Sequence, residues 1–270
     1  MTDQPHNTAV EPPRRASSAG DKLRFVLRGI GQTLITGGLV VLLFVVYSVY
    51  ITNIFAQQAQ ATVRHQLDQA WAQGKDPLLA LPGRASTTIP IGTGIANIYI
   101  PRLGKDYAFT IVEGTDDSSL EKGPGHYLGT QLPGQVGDFA VAGHRVGKGE
   151  PFLNLDKLRP GDAVIIETDR SWFVYRVKGN VATGDLSWTQ PDGIPGREIV
   201  YPSDGNVILP VPNHVGATPT ERLMTMTTCD PKFTATQRMV VHAVLDASAT
   251  VPRVGMGKPA SIEALYSKVA

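Results

Sequence analysis

The chain has 270 residues, 42% of them hydrophobic, and a net charge of +1. That is enough to bury a real core, and no clustered basic face is present of the kind a nucleic-acid surface needs. A single cysteine, Cys229, excludes an intramolecular disulfide and a cysteine-rich zinc site.

In chain order, residues 1–28 read as a disordered cytoplasmic tail. Positions 1 to about 21 are rich in Pro, Ser, Thr, Asn and Gln without hydrophobic periodicity, and Lys22, Arg24 and Arg28 follow. No side chain from Gly29 to Val63 is charged, and Leu34 to Ile51 is mostly Leu, Val, Ile, Phe and Tyr. About 20 such residues cross a bilayer core, which predicts a transmembrane anchor over 29–52. Basic residues crowd its N-terminal side and the next one is Arg64. The positive-inside rule then puts the N-terminus in the cytoplasm and residues 53–270 outside, a single-pass protein of the cell membrane. A cleaved signal peptide is the alternative, because Ala59-Gln60-Ala61 offers small residues at a plausible site.

Residues 53–94 read as stalk and linker. Val63, Leu67, Ala70 and Trp71 have helical spacing over 57–74, a helix that either stands as a stalk or packs on the domain. Pro77, Pro82, Gly83, Pro90 and Gly92 then mark a linker.

The folded domain is expected over 95–250, with a C-terminal tail at 251–270. Its 28 glycines and 20 prolines chain-wide favour short strands over long helices. Strands are predicted at 98–100, 107–112 and 138–142, with weaker support at 198–201 and 207–209. A hairpin is predicted over 163–168 and 172–181, and strong strands at 222–228 and 238–245. Ser118 to Lys122 reads as one helical turn and Phe152 to Leu158 as a short helix. About eight strands without a long helix argue for an all-β barrel or sandwich.

A lone thiol is ordinarily a buried small hydrophobe or an intermolecular bridge. Cys229, however, ends a β-branched strand, Met224-Thr225-Met226-Thr227-Thr228-Cys229-Asp230-Pro231, and Pro231 stops that strand from continuing centrally. A thiol at a strand end is reachable, and a neighbouring His or Arg would favour its thiolate. Of six histidines, His144 follows the apolar run Phe139 to Gly143, and His126 follows Gly123-Pro124-Gly125. An ordinary loop histidine is the plain reading of either. Arg238 opens the strand after Cys229, so an antiparallel pair would bring the two within reach. The plain reading there is a surface arginine paired with Asp230 or Glu221.

These residues carry a resemblance. Thr225 to Leu245, Thr-Met-Thr-Thr-Cys-Asp-Pro-Lys-Phe-Thr-Ala-Thr-Gln-Arg-Met-Val-Val-His-Ala-Val-Leu, resembles the sortase signature, a Thr-Leu-x-Thr-Cys strand followed by Arg and an apolar strand. Met226 stands where Leu is usual, a volume-conserving change. Gly134 to Arg145 is similar to that family's histidine segment. The likeness covers about residues 95–246. Its Cys-Asp-Pro-Lys-Phe, Val-Val-His-Ala and Ala-Gly-His-Arg runs look most like class E sortases of actinobacteria.

The resemblance implies an eight-stranded sortase-type β-barrel with short helices, preceded by one transmembrane helix. It implies Cys229 as nucleophile, His144 as general acid and base, and Arg238 as oxyanion or substrate-carbonyl donor. Thr228 would shape the site, and His126 and Tyr127 would border the substrate groove. The implied reaction is cysteine transpeptidation without cofactor or metal. A sorting signal on a secreted protein, Leu-Ala-x-Thr-Gly or Leu-Pro-x-Thr-Gly in kind, is cut between Thr and Gly and joined to a cell-wall precursor amine, lipid II-like. Asp116, Asp117 and Glu121 cluster without calcium-loop spacing. Two other readings stand beside this one. A non-catalytic, membrane-anchored β-domain that binds a cell-surface partner would not need the thiol. An L,D-transpeptidase would carry Ser-x-Gly-Cys, which Cys229 lacks.

Overall fold

The structure, a computed structural model, describes residues 19–47, 52–79, 89–189, 191–255 and 257–268. It divides into two compact units, residues 1–48 and 49–270.

The first unit holds helix α1 (Ala19–Val46). Its 28 residues span about 42 Å at 1.5 Å each. Leu34, Leu39, Val41 and Phe44 are all exposed on it, and Lys22–Val46 is long and apolar enough to cross a membrane. A helix that is apolar all round needs apolar surroundings. It starts earlier than residue 29, so Lys22, Arg24 and Arg28 belong to its first turns. Residues 1–18 of the expected tail, and 48–51 of the expected anchor, lie outside the described residues.

The second unit starts with α2 (Thr52–Ala72). Ala56, Val63, Leu67 and Trp71 are buried along one side of it, against strands β1 (Gly94–Tyr99) and β2 (Ala108–Glu113). Gln60 Nε2 donates to Thr110 O at 2.9 Å, and Gln60 Oε1 accepts from Thr110 N at 2.7 Å. The helix is therefore no free stalk, and the folded unit is wider than 95–250. The Ala59-Gln60-Ala61 step lies inside this packed helix. Of the expected linker, 80–88 lie outside the described residues, while Leu78 and Ile89 pack on the core.

After β2 come the short helix α3 (Asp117–Leu120), which Asp116 caps through Ser118 N and Ser119 N, and the two-residue strand β3 (Gly125–His126). The rest are β4 (Gly137–Ala142), β5 (Ala163–Glu167), β6 (Ser171–Val177), β7 (Arg197–Val200), β8 (Arg222–Asp230) and β9 (Gln237–Leu245). The sheet runs β6-β5-β1-β2-β3-β4-β8-β9, and a β6–β9 pairing closes those eight strands into a barrel. Strand β9 divides its second edge, Arg238 to Val241 going to β7 and Ala243 to Leu245 to β6. The barrel core takes alternate side chains: Met224 and Met226 of β8 and Met239, Val241 and Ala243 of β9 point inward. Thr225, Thr227 and Cys229 therefore share the opposite face of β8 with Arg238, Val240 and His242 of β9.

Two expectations are corrected. Val207–Leu209 is no strand: Gly205–Ile208 is a 3₁₀ turn, because the Asp204 carboxylate accepts from Asn206 N and winds the chain. The 251–270 stretch is no loose tail. Val251–Pro252 forms strand β10 on β6, and helix α4 (Ala260–Ser267) buries Ile262 and Leu265 against Ile165, Trp172 and Val174.

Candidate active site

The β8–β9 ladder places Cys229 opposite Arg238 and Asp230 opposite Gln237. On its other side, Arg238 pairs with Val200 of β7, so Cys229, Arg238 and Val200 form one row across three strands. Cys229 is partly exposed. Arg238 Nη1 donates to Ala235 O at 3.0 Å and to Gln237 O at 2.9 Å. Among the described residues its hydrogen bonds come from Nη1, leaving Nε and Nη2 for a ligand.

His144 arrives from β4. That strand pairs in parallel with β8, Ala142 beside Thr227. Two bonds carry the pairing onward: Gly143 N donates to Thr227 O at 3.0 Å, and Thr228 Oγ1 to Gly143 O at 2.8 Å. His144 follows directly, just past the end of β4, and its carbonyl accepts from Phe152 N at 3.0 Å. Gly143 is required there, since a Cβ would stand 2.6 Å from the Phe152 ring. His144 Nε2 is buried with no hydrogen-bond partner among the described residues. Burial holds the imidazole pKa below 6.5, Lys148 lowers it further, and Asp117 and Glu121 oppose. The ring is therefore neutral at pH 7 and able to accept a proton.

Thr228 points to the barrel side and spends its hydroxyl on Gly143, tying the two strand ends together. Tyr127 does border a cleft: its OH lies 2.9 Å from Thr227 Oγ1. With Arg238, Tyr201, Gly205, Val207 and Ile208 it lines a space of about 160 Å³. His126 does not border that cleft. It is 2% exposed, its Nδ1 lies 2.7 Å from Glu113 Oε2, and its Nε2 lies near Thr130 Oγ1 (2.9 Å) and Gln131 O (3.1 Å). Both ring nitrogens are thus engaged inside the wall, and the earlier expectation for His126 is corrected on that ground.

Residues 98–246 match the Sortase domain family. The chain belongs to the sortase family. It is 34% identical to sortase SrtE1 of Streptomyces coelicolor over 79% of this chain and 55% of that relative, so it spans about half the relative's length. The solved SrtF sortase of Corynebacterium diphtheriae is 42% identical, over 68% of this chain and 99% of that one, with a TM-score of 0.58. The solved sortase E1 of Streptomyces coelicolor, with a tripeptide in its active site, is 33% identical over 63% of this chain and 96% of that one, with a TM-score of 0.50. This sortase is most like class E.

The sequence reading of the sortase site missed Arg145. It is 5% exposed, donates from Nη1 to Cys229 O at 3.2 Å and pairs through the same nitrogen with Asp230. Its Nη2 lies 3.4 Å from Asp156 Oδ1. Asp230, considered above as a partner for Arg238, is thus taken by Arg145. The available signal was its place directly after His144.

Proposed function

We propose that Cys229 is the nucleophile of this sortase, His144 its general acid and base, and Arg238 its oxyanion or substrate-carbonyl donor. The observation that carries the reading is the pairing of Cys229 with Arg238 at adjoining strand ends, with His144 following Gly143, which is bonded to Thr227 and Thr228 of the same strand. A single thiol, an unspent imidazole nitrogen and unspent guanidinium donors are what acyl transfer asks for.

In this reading His144 takes the thiol proton of Cys229, and the thiolate attacks the threonine carbonyl carbon of a sorting signal. The carbonyl oxygen becomes an oxyanion facing Arg238. Collapse breaks the Thr–Gly C–N bond, and His144 gives its proton to the departing glycine amine. A thioester on Cys229 remains. An amine of a cell-wall precursor, lipid II-like, attacks it while His144 takes the amine proton, and the Cys229 thiolate leaves and recovers its proton from His144. Thr228 fixes the two strand ends, Tyr127 borders the substrate, and His126 braces the wall from behind.

The tripeptide in the active site of the Streptomyces sortase E1 supports a short peptide as the ligand of the corresponding cleft here. Class E likeness favours Leu-Ala-x-Thr-Gly over Leu-Pro-x-Thr-Gly. Helix α1 would be the single membrane span, with the cytoplasmic side marked by Lys22, Arg24 and Arg28 and the unit from residue 49 onward outside. There it would meet secreted proteins as they leave the membrane.

The test is cleavage and transfer of sorting-signal peptides by the wild type and by Cys229→Ala, His144→Ala and Arg238→Ala. Each variant is expected to lose turnover, and the wild type to show a thioacyl adduct by mass spectrometry. Normal turnover by Cys229→Ala overturns the reading. Preference for Pro at the second signal position overturns the class E specificity alone.

A further inference from the structure

Below the rows of Cys229 with Arg238 and Thr227 with Val240, the same face of β8 and β9 carries a third row. Thr225 stands opposite His242, and both are buried. Thr225 Oγ1 lies 2.9 Å from Asp138 Oδ1 and 2.8 Å from His242 Nδ1. His242 Nε2 lies 2.9 Å from Glu198 Oε1, which also accepts from Asn213 Nδ2 at 2.8 Å. Asn213 N in turn donates to Asn206 O at 2.9 Å. One polar chain therefore runs from β4 through β8 and β9 to β7, and ends on the 201–213 segment that walls the cleft beside Arg238.

The protons of this chain can be assigned by counting them. Thr225 has one hydroxyl proton for two neighbours. If Asp138 were a carboxylate taking that proton, His242 would need protons on both nitrogens to serve Thr225 and Glu198. If Asp138 carries its own proton, it donates to Thr225 Oγ1, Thr225 donates to His242 Nδ1, and Nε2–H donates to Glu198. Asp138 is 0% exposed, and its Oδ2 has no partner among the described residues. A charge there would have one hydroxyl to stabilise it. Burial accordingly pushes this carboxyl well above the usual carboxylate range, which favours the second arrangement.

We propose that this chain is a positioning device for the peptide substrate: Asp138, as a neutral acid, sets the His242 tautomer through Thr225, and His242 then holds Glu198 and the 201–213 wall against Arg238. None of these side chains touches the reacting atoms. The inference rests on the cleft being the substrate cleft, as argued above.

The experiment uses the full chain in detergent micelles, with peptide kinetics and iodoacetamide labelling of Cys229. Glu198 is partly exposed on a strand outside the barrel, so Glu198→Ala folds. It should raise KM about tenfold, the worth of a lost hydrogen bond to a charged group, with kcat and the labelling rate unchanged. Asp138→Asn should behave as wild type, because the amide donates to Thr225 as the acid does, while Asp138→Ala should share the Glu198→Ala defect. An unchanged KM in Glu198→Ala overturns the positioning role. Asp138→Asn as impaired as Asp138→Ala overturns the neutral acid.

Failure of the functional reading would look different: no peptide turnover by the wild type, or turnover by Cys229→Ala. The chain is then still tested by ¹⁵N NMR of His242. The Nε2–H tautomer at pH 7, lost in Asp138→Ala, supports it, and a doubly protonated ring overturns it.

Discussion

Arg238 stands directly across the β8–β9 ladder from Cys229, with its Nη1 resting on the carbonyls of Ala235 and Gln237. The guanidinium is thus held by its own loop, while Nε and Nη2 carry no hydrogen bond among the described residues. Lysine would keep the charge and lose the fork. Arg238→Lys is expected to lower kcat/KM by about 10²–10³, the usual size of a lost oxyanion donor, in steady-state peptide assays. A lysine variant within a few-fold of wild type would mean that charge alone suffices.

His144 is expected to take up its proton below pH 6.5, since burial and Lys148 both disfavour the imidazolium. Removing the positive charge in Lys148→Met should move the midpoint up, and Glu121→Gln should move it down. The acid limb of the pH–rate profile and the His144 ring signals in NMR should move together. A downward shift in Lys148→Met or an upward one in Glu121→Gln would sink this account of the site's electrostatics.

Arg145 joins the carbonyl of Cys229, the Asp230 carboxylate and Asp156 from a nearly enclosed position. Arg145→Met leaves those acceptors unmatched next to the strand end. A loss of about 2–3 kcal/mol is expected, read by urea unfolding. Asp230→Asn should cost less, because Asp230 is 18% exposed and water can serve it. Equal, negligible losses for both would show the cluster to be ornamental.

Asp138 supplies a stability test with a definite sign. Its folded-state pKa lies above the 3.8 of the free side chain. Above pH 3.8 the unfolded carboxyl ionises while the folded one stays protonated, so the wild type loses stability as pH rises toward the folded value. The slope is at most about 1.4 kcal/mol per pH unit. Asp138→Asn has no such loss, so its advantage over wild type should widen as the pH rises from about 4 toward the folded value, and stay level above it, in chemical unfolding curves. An advantage that shrinks with rising pH would contradict the neutral acid.

Much of the barrel was legible because β5, β6, β8 and β9 alternate or are β-branched, and their hairpins are local. Cys229 and Arg238 flank one loop, so sequence separation alone put them near each other. The two-residue β3 has no period to read. Val207 and Ile208 look like strand residues until the Asp204 side chain winds them into a turn. The helical spacing of Val63, Leu67 and Trp71 was visible, but the surface they cover is made by β1 and β2, which only the folded sheet assembles. Arg145 was invisible for the same reason: its partner Asp230 is brought in by the parallel β4–β8 pairing, not by the local chain.

The Gln60 amide covers a sheet edge. It meets both the N–H and the carbonyl of Thr110, as a neighbouring strand would, on a stretch of β2 that the short β3 does not reach. One side chain therefore stops an open sheet edge. A version of the protein cut after α2, at the boundary the sequence pattern suggests, would bare that edge to other copies of itself. Self-association through β2, rather than unfolding, would then be the first sign that the helix had been part of the barrel.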